Sequence, residues 1–138
     1  MSSFSLAWEC GSYDKYSQPV EKHLEIATDV FIGTVLEGKL EDSYSIDLKL
    51  KVTLPIKGNL KTEVELTTNS EPINDRFYIG GHYIVFLYGS SKIDFCNMIL
   101  EVVTPVNSLD ELKEYVKRKD IEGTEKVGVV AKYLSNNP

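Results

Sequence analysis

The chain is poorly supplied with the side chains from which metal centres, hydrolytic sites and membrane spans are made. Its 138 residues include two histidines and two cysteines, and His23, His82, Cys10 and Cys96 are scattered rather than clustered at the short spacings of a zinc site. No metal and no cofactor is expected. Neither histidine has a nucleophile or carboxylate companion in sequence that would make it a base, so no catalytic residue is assigned and an enzyme is the least expected class. His23 is expected on a surface helix and His82 at the start of a strand, in structural or solvated roles. Gly80-Gly81 precedes a strand and not a helix, so it reads as a turn and not as a phosphate cradle. No stretch approaches the roughly 20 apolar residues of a bilayer span; the longest strongly apolar run, Tyr83 to Tyr88, has the length of a strand, so no transmembrane segment is expected. Positive charge is also short, with 15 Lys and Arg against 21 Asp and Glu and a formal charge of -6. Binding to nucleic acid draws most of its energy from cation contacts to phosphate, so that partner is disfavoured.

What is present is ordinary globular composition, 42% apolar and 26% charged, in a length suited to one domain. Repeats and low-complexity tracts are lacking. Near the N-terminus Ser5-Leu6-Ala7 has the small-x-small pattern that signal peptidase reads. Residues 1–7 are therefore expected to be a leader remnant and 8–138 a single domain, the alternative being a frayed N-terminus.

Val20, Leu24 and Ala27 recur at helical spacing after Pro19, which predicts a short helix over Pro19 to Thr28. Val30 to Leu36 is apolar and β-branched, with Gly33 placed for a bulge or a close backbone approach. From Tyr44 to Leu54 apolar and polar residues alternate over eleven positions, predicting a long strand with one buried face. A turn at Lys57-Gly58-Asn59 leads to Thr62–Thr68, a second alternating run that pairs with the first as a hairpin. After a loop from Asn69 to Gly81, His82 to Tyr88 reads as a central strand and Cys96 to Val103 as a fifth. Ser108-Leu-Asp-Glu111 is a capping box, which starts a helix at Leu109 that ends near Lys119. Leu109, Leu112, Tyr115 and Val116 form its apolar stripe. Val127, Val130, Ala131 and Leu134 suggest a last helix after Gly123-Thr124, although Val127-Gly-Val-Val130 also reads as strand. The fold class is mainly β: a five-stranded β-barrel of the oligonucleotide/oligosaccharide-binding (OB) type with flanking helices, the C-terminal ones over about 108–134.

In an exported protein Cys10 and Cys96 are expected to bridge; in a reducing compartment they are two buried thiols. Trp8, Tyr13 and Tyr16 make the N-terminal arm aromatic, either packed over the barrel or offered as a contact surface.

Ala27-Thr-Asp-Val-Phe-Ile-Gly-Thr-Val35, Leu54-Pro-Ile-Lys-Gly58, Gly81-His-Tyr-Ile-Val-Phe86, Asp94-Phe-Cys96 and Pro105-Val-Asn-Ser-Leu109 occur in an order that resembles netrin-like domains, including bacterial relatives of the tissue inhibitors of metalloproteinases. The resemblance spans about residues 8 to 112 and implies an OB barrel. It implies that Cys10 matches the second cysteine of the inhibitors' opening Cys-x-Cys, which bridges to the cysteine matched by Cys96. The first of that pair, whose free amine chelates the protease zinc, falls on Trp8, so the disulfide that holds the amine is missing.

The expected function is thus an exported, periplasmic or secreted, non-enzymatic interaction module, monomeric, with a protein partner and Trp8, Glu9, Cys10 and Tyr13 as candidate contact residues. One alternative is a metalloprotease inhibitor acting through the Trp8–Cys10 ridge. The other is an OB-type nucleic-acid binder, for which Lys49, Lys51, Lys57 and Lys61 lie near the usual face but share it with Asp47, Glu63 and Glu65.

Overall fold

A computed structural model describes residues 19–41, 45–69, 77–93 and 97–137 and arranges them as six strands and three helices. In chain order these are α1 (Val20–Ile26), β1 (Asp29–Leu40), β2 (Ser45–Lys57), β3 (Glu63–Asn69), β4 (His82–Leu87), β5 (Lys92–Ile93), β6 (Ile99–Val102), α2 (Leu109–Val116) and α3 (Thr124–Asn136). The structure is mainly β, with one sheet curled into a half-barrel. Strand order is β5-β3-β2-β1-β4-β6. All neighbours are antiparallel except β3 and β5, which pair in parallel over Thr67–Thr68 and Lys92–Ile93.

Strand number departs from the expected five. β5 has only two residues, too few to show the alternation by which a strand is read from sequence. The strand expected from Cys96 is seen as β6 from Ile99. β1 and β2 run past their predicted ends, β1 because Glu37 to Leu40 pairs with Ile46 to Lys49, and β2 because Pro55 and Lys57 pair with Phe31 and Val30. Pro55 sits inside β2 opposite Phe31, beside a register irregularity, where a residue without an N–H is tolerated.

Each face of the sheet builds its own core. Phe31 and Val35 of β1, Leu48 and Leu50 of β2, Leu66 of β3, Tyr83 and Val85 of β4 and Ile93 of β5 fill the inside of the curl. Val30, Ile32, Ile84, Phe86 and Val102 point to the other face and pack under α1, α2 and α3 through Leu24, Leu112, Tyr115, Val127 and Val130. β4 is buried on both faces, as the unbroken apolar run Tyr83 to Leu87 predicts. β2 changes sides. Ile32 pairs with Leu54 and Gly33 with Val52, which leaves Thr53 as an extra residue in the ladder. Ile46, Leu48, Leu50 and Val52 face the curl, whereas Leu54 and Ile56 lie under the helices. The even-numbered residues were expected to share one face; the bulge at Thr53 moves Leu54 to the other. Thr53 Oγ1 lies 3.2 Å from the Ile32 carbonyl and 2.8 Å from that of Val106, binding the bulge to the chain after β6. Gly33 beside it permits the close approach expected there, since a Cβ would meet the Phe31 ring at 2.9 Å.

The helices follow their predicted stripes with two differences. His23 is fully buried, not on a solvated surface. It stands three residues after Val20 and one before Leu24, inside the apolar stripe, with its ring edge-on to Phe86 and Tyr88. Nδ1 is 2.6 Å from the Tyr88 hydroxyl. In the capping box, Ser108 Oγ accepts from the Glu111 amide at 3.1 Å as expected, but the Glu111 carboxylate takes the amide of Asn107 at 2.8 Å, one residue before the cap. Residues 124–136 are helix and not strand, entered through Gly123 at φ 77°. Lys57 Nζ donates to the carbonyls of Leu24 and Glu25 at 2.9 and 3.0 Å, closing the end of α1.

Candidate functional site: the mouth of the half-barrel

The extended β1–β2 hairpin forms one wall of a concave site at the end of the curl. There Val35, Gly38 and Leu40 of β1, Ile46 and Leu48 of β2, Thr68 of β3 and the segment Phe77-Tyr78-Ile79 enclose a cavity of about 300 Å³ that opens to solvent. Its rim carries large apolar side chains in water: Leu40 is 64% exposed, Ile79 69% and Tyr78 56%. Single exposed apolar residues are common, but several grouped around a concave opening mark a binding surface.

The wall at 77–79 is fixed from inside by Tyr83. Its buried ring meets Phe77 edge-on at 5.0 Å and Tyr78 at 6.0 Å, and its hydroxyl accepts the Tyr78 amide at 3.1 Å. Gly81 is required beneath that ring, because a Cβ there would stand 2.6 Å from the Tyr83 oxygen. Gly80-Gly81 does form the expected turn, with Gly80 at φ 86°. Burial raises the Tyr83 pKa, so the phenol stays neutral. Outside the wall, Tyr78 donates its hydroxyl to the Glu101 carboxylate of β6. That bond, ahead of other causes, raises its pKa to about 12. His82, half-buried at the start of β4, places Nδ1 2.7 Å from the Thr34 hydroxyl.

The cavity's lining includes one buried polar atom with no partner among the described residues. Val64, Leu66 and Thr68 are the inward residues of β3, while Thr67 faces out and donates to Asp47 at 3.0 Å. Thr68 is 2% exposed and its Oγ1 has no hydrogen-bonding partner among the described residues. Buried hydroxyls are normally paired.

The outer face of β1, β2 and β3 is charged but internally compensated, Lys49 lying 3.6 Å from Glu37 and 4.0 Å from Glu63. A second, larger groove of about 670 Å³ runs between α1 and α3 over Leu24, Gly128, Val129 and Tyr133, edged by Glu21, Glu25, Glu125 and Lys132. The mouth is the better candidate despite its smaller volume, because it joins an exposed apolar rim to an unserved buried hydroxyl.

The sequence-derived contact residues Trp8, Glu9, Cys10 and Tyr13 lie outside the described residues, as do Cys96, and with it the Cys10–Cys96 pairing, and Tyr44. Sequence reasoning missed the mouth. The signal was present in Thr68, which occupies an apolar position of the Thr62–Thr68 alternation, and in Phe77-Tyr-Ile79, which is too apolar for an exposed loop. Among the described residues no group of three or more His, Cys, Asp or Glu could hold a metal ion, and no helix is long and apolar enough to cross a membrane. No protein-family model and no curated protein matches the chain.

Proposed function

We propose that the protein is a non-enzymatic binding module, built on an OB-type barrel of the netrin-like kind, that receives an apolar group at the mouth of its half-barrel. The observation that carries the reading is the 300 Å³ cavity with its exposed Leu40, Tyr78 and Ile79 rim. Apolar concave sites with few polar groups are the usual places where ligands or anchoring side chains lodge. Strand order supports the OB part. Taking β5 and β6 as halves of one interrupted strand leaves five, and that strand joins β3 to β4 in a partly open barrel. Export belongs to the same proposal and rests on Cys10, Cys96 and Ser5-Leu6-Ala7. A mature chain that begins at Trp8 and lacks two thiol hydrogens supports export, and a chain with Met1 and two free thiols removes it.

Titration with naphthalene, followed by heteronuclear NMR, tests the site. Amide shifts confined to residues 35–40, 46–48, 68 and 77–79, and lost in Leu40→Asp, are expected. Shifts centred on Val129 and Tyr133, or none at all, overturn the reading.

A further inference from the structure

The rim shows where a ligand enters; the floor shows what the ligand must carry. Resting on the mouth as the binding site, we infer that its ligand is a neutral amphiphile: an apolar body of about ten non-hydrogen atoms with a single hydroxyl or equivalent hydrogen-bonding group at its leading end, and that Thr68 Oγ1 is the group that receives it.

Three observations converge. The size is set by the cavity, about 300 Å³; a dry cavity of about 150 Å³ accommodates benzene, so a two-ring or similarly sized body fits. The neutrality is set by the lining, which among the described residues consists of seven apolar side chains, one glycine and one threonine, with no charged residue. An ion brought into such a wall has no counter-charge and loses its hydration. The polar group is set by Thr68. Its hydroxyl is buried at the end of the inward row Val64, Leu66, Thr68 and no donor or acceptor among the described residues reaches it. A valine of nearly the same shape would fill the position without that cost. Without a ligand the hydroxyl is closed to solvent and has no partner among the described residues. A ligand hydroxyl that pairs with it gains what an all-hydrocarbon ligand cannot, and a site built to pair a polar group discriminates against analogues without one.

The inference is tested by comparing 2-naphthol with naphthalene, matched bodies that differ by one hydroxyl, on wild type, Thr68→Val and Thr68→Ser. The ratio of their dissociation constants cancels the different hydration of the two probes when compared between variants. In wild type and Thr68→Ser the ratio favours 2-naphthol by about fivefold more than in Thr68→Val, the size of one net hydrogen bond, while naphthalene binds all three alike. Thr68→Val also melts higher than wild type without ligand, because it removes an unpaired buried hydroxyl. An equal ratio in wild type and Thr68→Val overturns the inference and leaves the mouth as the site. A lower melting temperature for Thr68→Val also overturns it, by showing that the hydroxyl is already satisfied within the fold. Failure of both probes to bind wild type overturns the proposed function and this inference together.

Discussion

The Tyr83 hydroxyl accepts the Tyr78 amide proton at 3.1 Å, and through this one bond the interior of the half-barrel fixes the wall of its mouth. The ring belongs to the core, whereas Tyr78, whose amide it holds, is 56% exposed.

Tyr83→Phe keeps the ring and removes the bond. A loss of about 1 kcal/mol in stability is expected from the unpaired amide, measured by urea denaturation, together with weaker naphthalene binding as residues 77–79 loosen. Unchanged binding would mean that ring packing alone holds the wall. Gly81→Ala forces the ring to move and should cost more, about 1 to 3 kcal/mol.

Tyr78 makes stability depend on alkaline pH. Its pKa rises from the ordinary 10.0 to about 12, first through its bond to Glu101. Between those values the folded chain keeps a proton that the unfolded chain has lost, so the contribution is complete below pH 10 and declines as pH rises through about 12. Because Tyr78 is exposed the effect is small. Tyr78→Phe should flatten the slope of melting temperature against pH between 9 and about 12 relative to wild type; an identical slope removes Tyr78 as its source.

His23 and Tyr88 join α1 to the end of β4 inside the helical core. Tyr88→Phe deprives a fully buried imidazole of a 2.6 Å partner and should cost about 1 to 3 kcal/mol. In a double-mutant cycle with His23→Leu the two losses should be less than additive; strict additivity would show that the contact contributes nothing of its own.

Ser108→Ala should cost about 1 kcal/mol by removing the α2 cap, and Ser108→Gly only a few tenths. Circular dichroism melts can rank the two. Glu111→Ala tests a separate contact, because its carboxylate serves Asn107.

Period-two alternation marked β2 and β3, an unbroken apolar run marked β4, and the Ser108 cap marked the start of α2. Each of those signals is local. What escaped depended on partners distant in the chain. β5 exists because Lys92 and Ile93 meet Thr67 and Thr68, not because two residues have a pattern. His23 is buried because α1 lies on Phe86 and Tyr88, contacts that its placement on a surface helix could not foresee. The mouth is a joint product of three strands and the segment before Gly80, so its residues formed no motif. Thr68 was the most legible of them, as a hydroxyl on an apolar face, and was read simply as part of a strand.

The extra residue at Thr53 has a consequence for how the domain comes apart. Leu50 lies in one core and Ile56 in the other, six positions along the same backbone, with the Thr53 hydroxyl shared between β1 and the segment that leads into α2. Lifting the helical layer uncovers Leu54 and Ile56 and releases that hydroxyl's hold on the strand whose other half lines the curl. The two layers should therefore behave as one cooperative unit, with the amides of Leu50 and Leu54 exchanging hydrogen through the same global opening. A sheet trimmed of α2 and α3 should then fail to persist as a folded core.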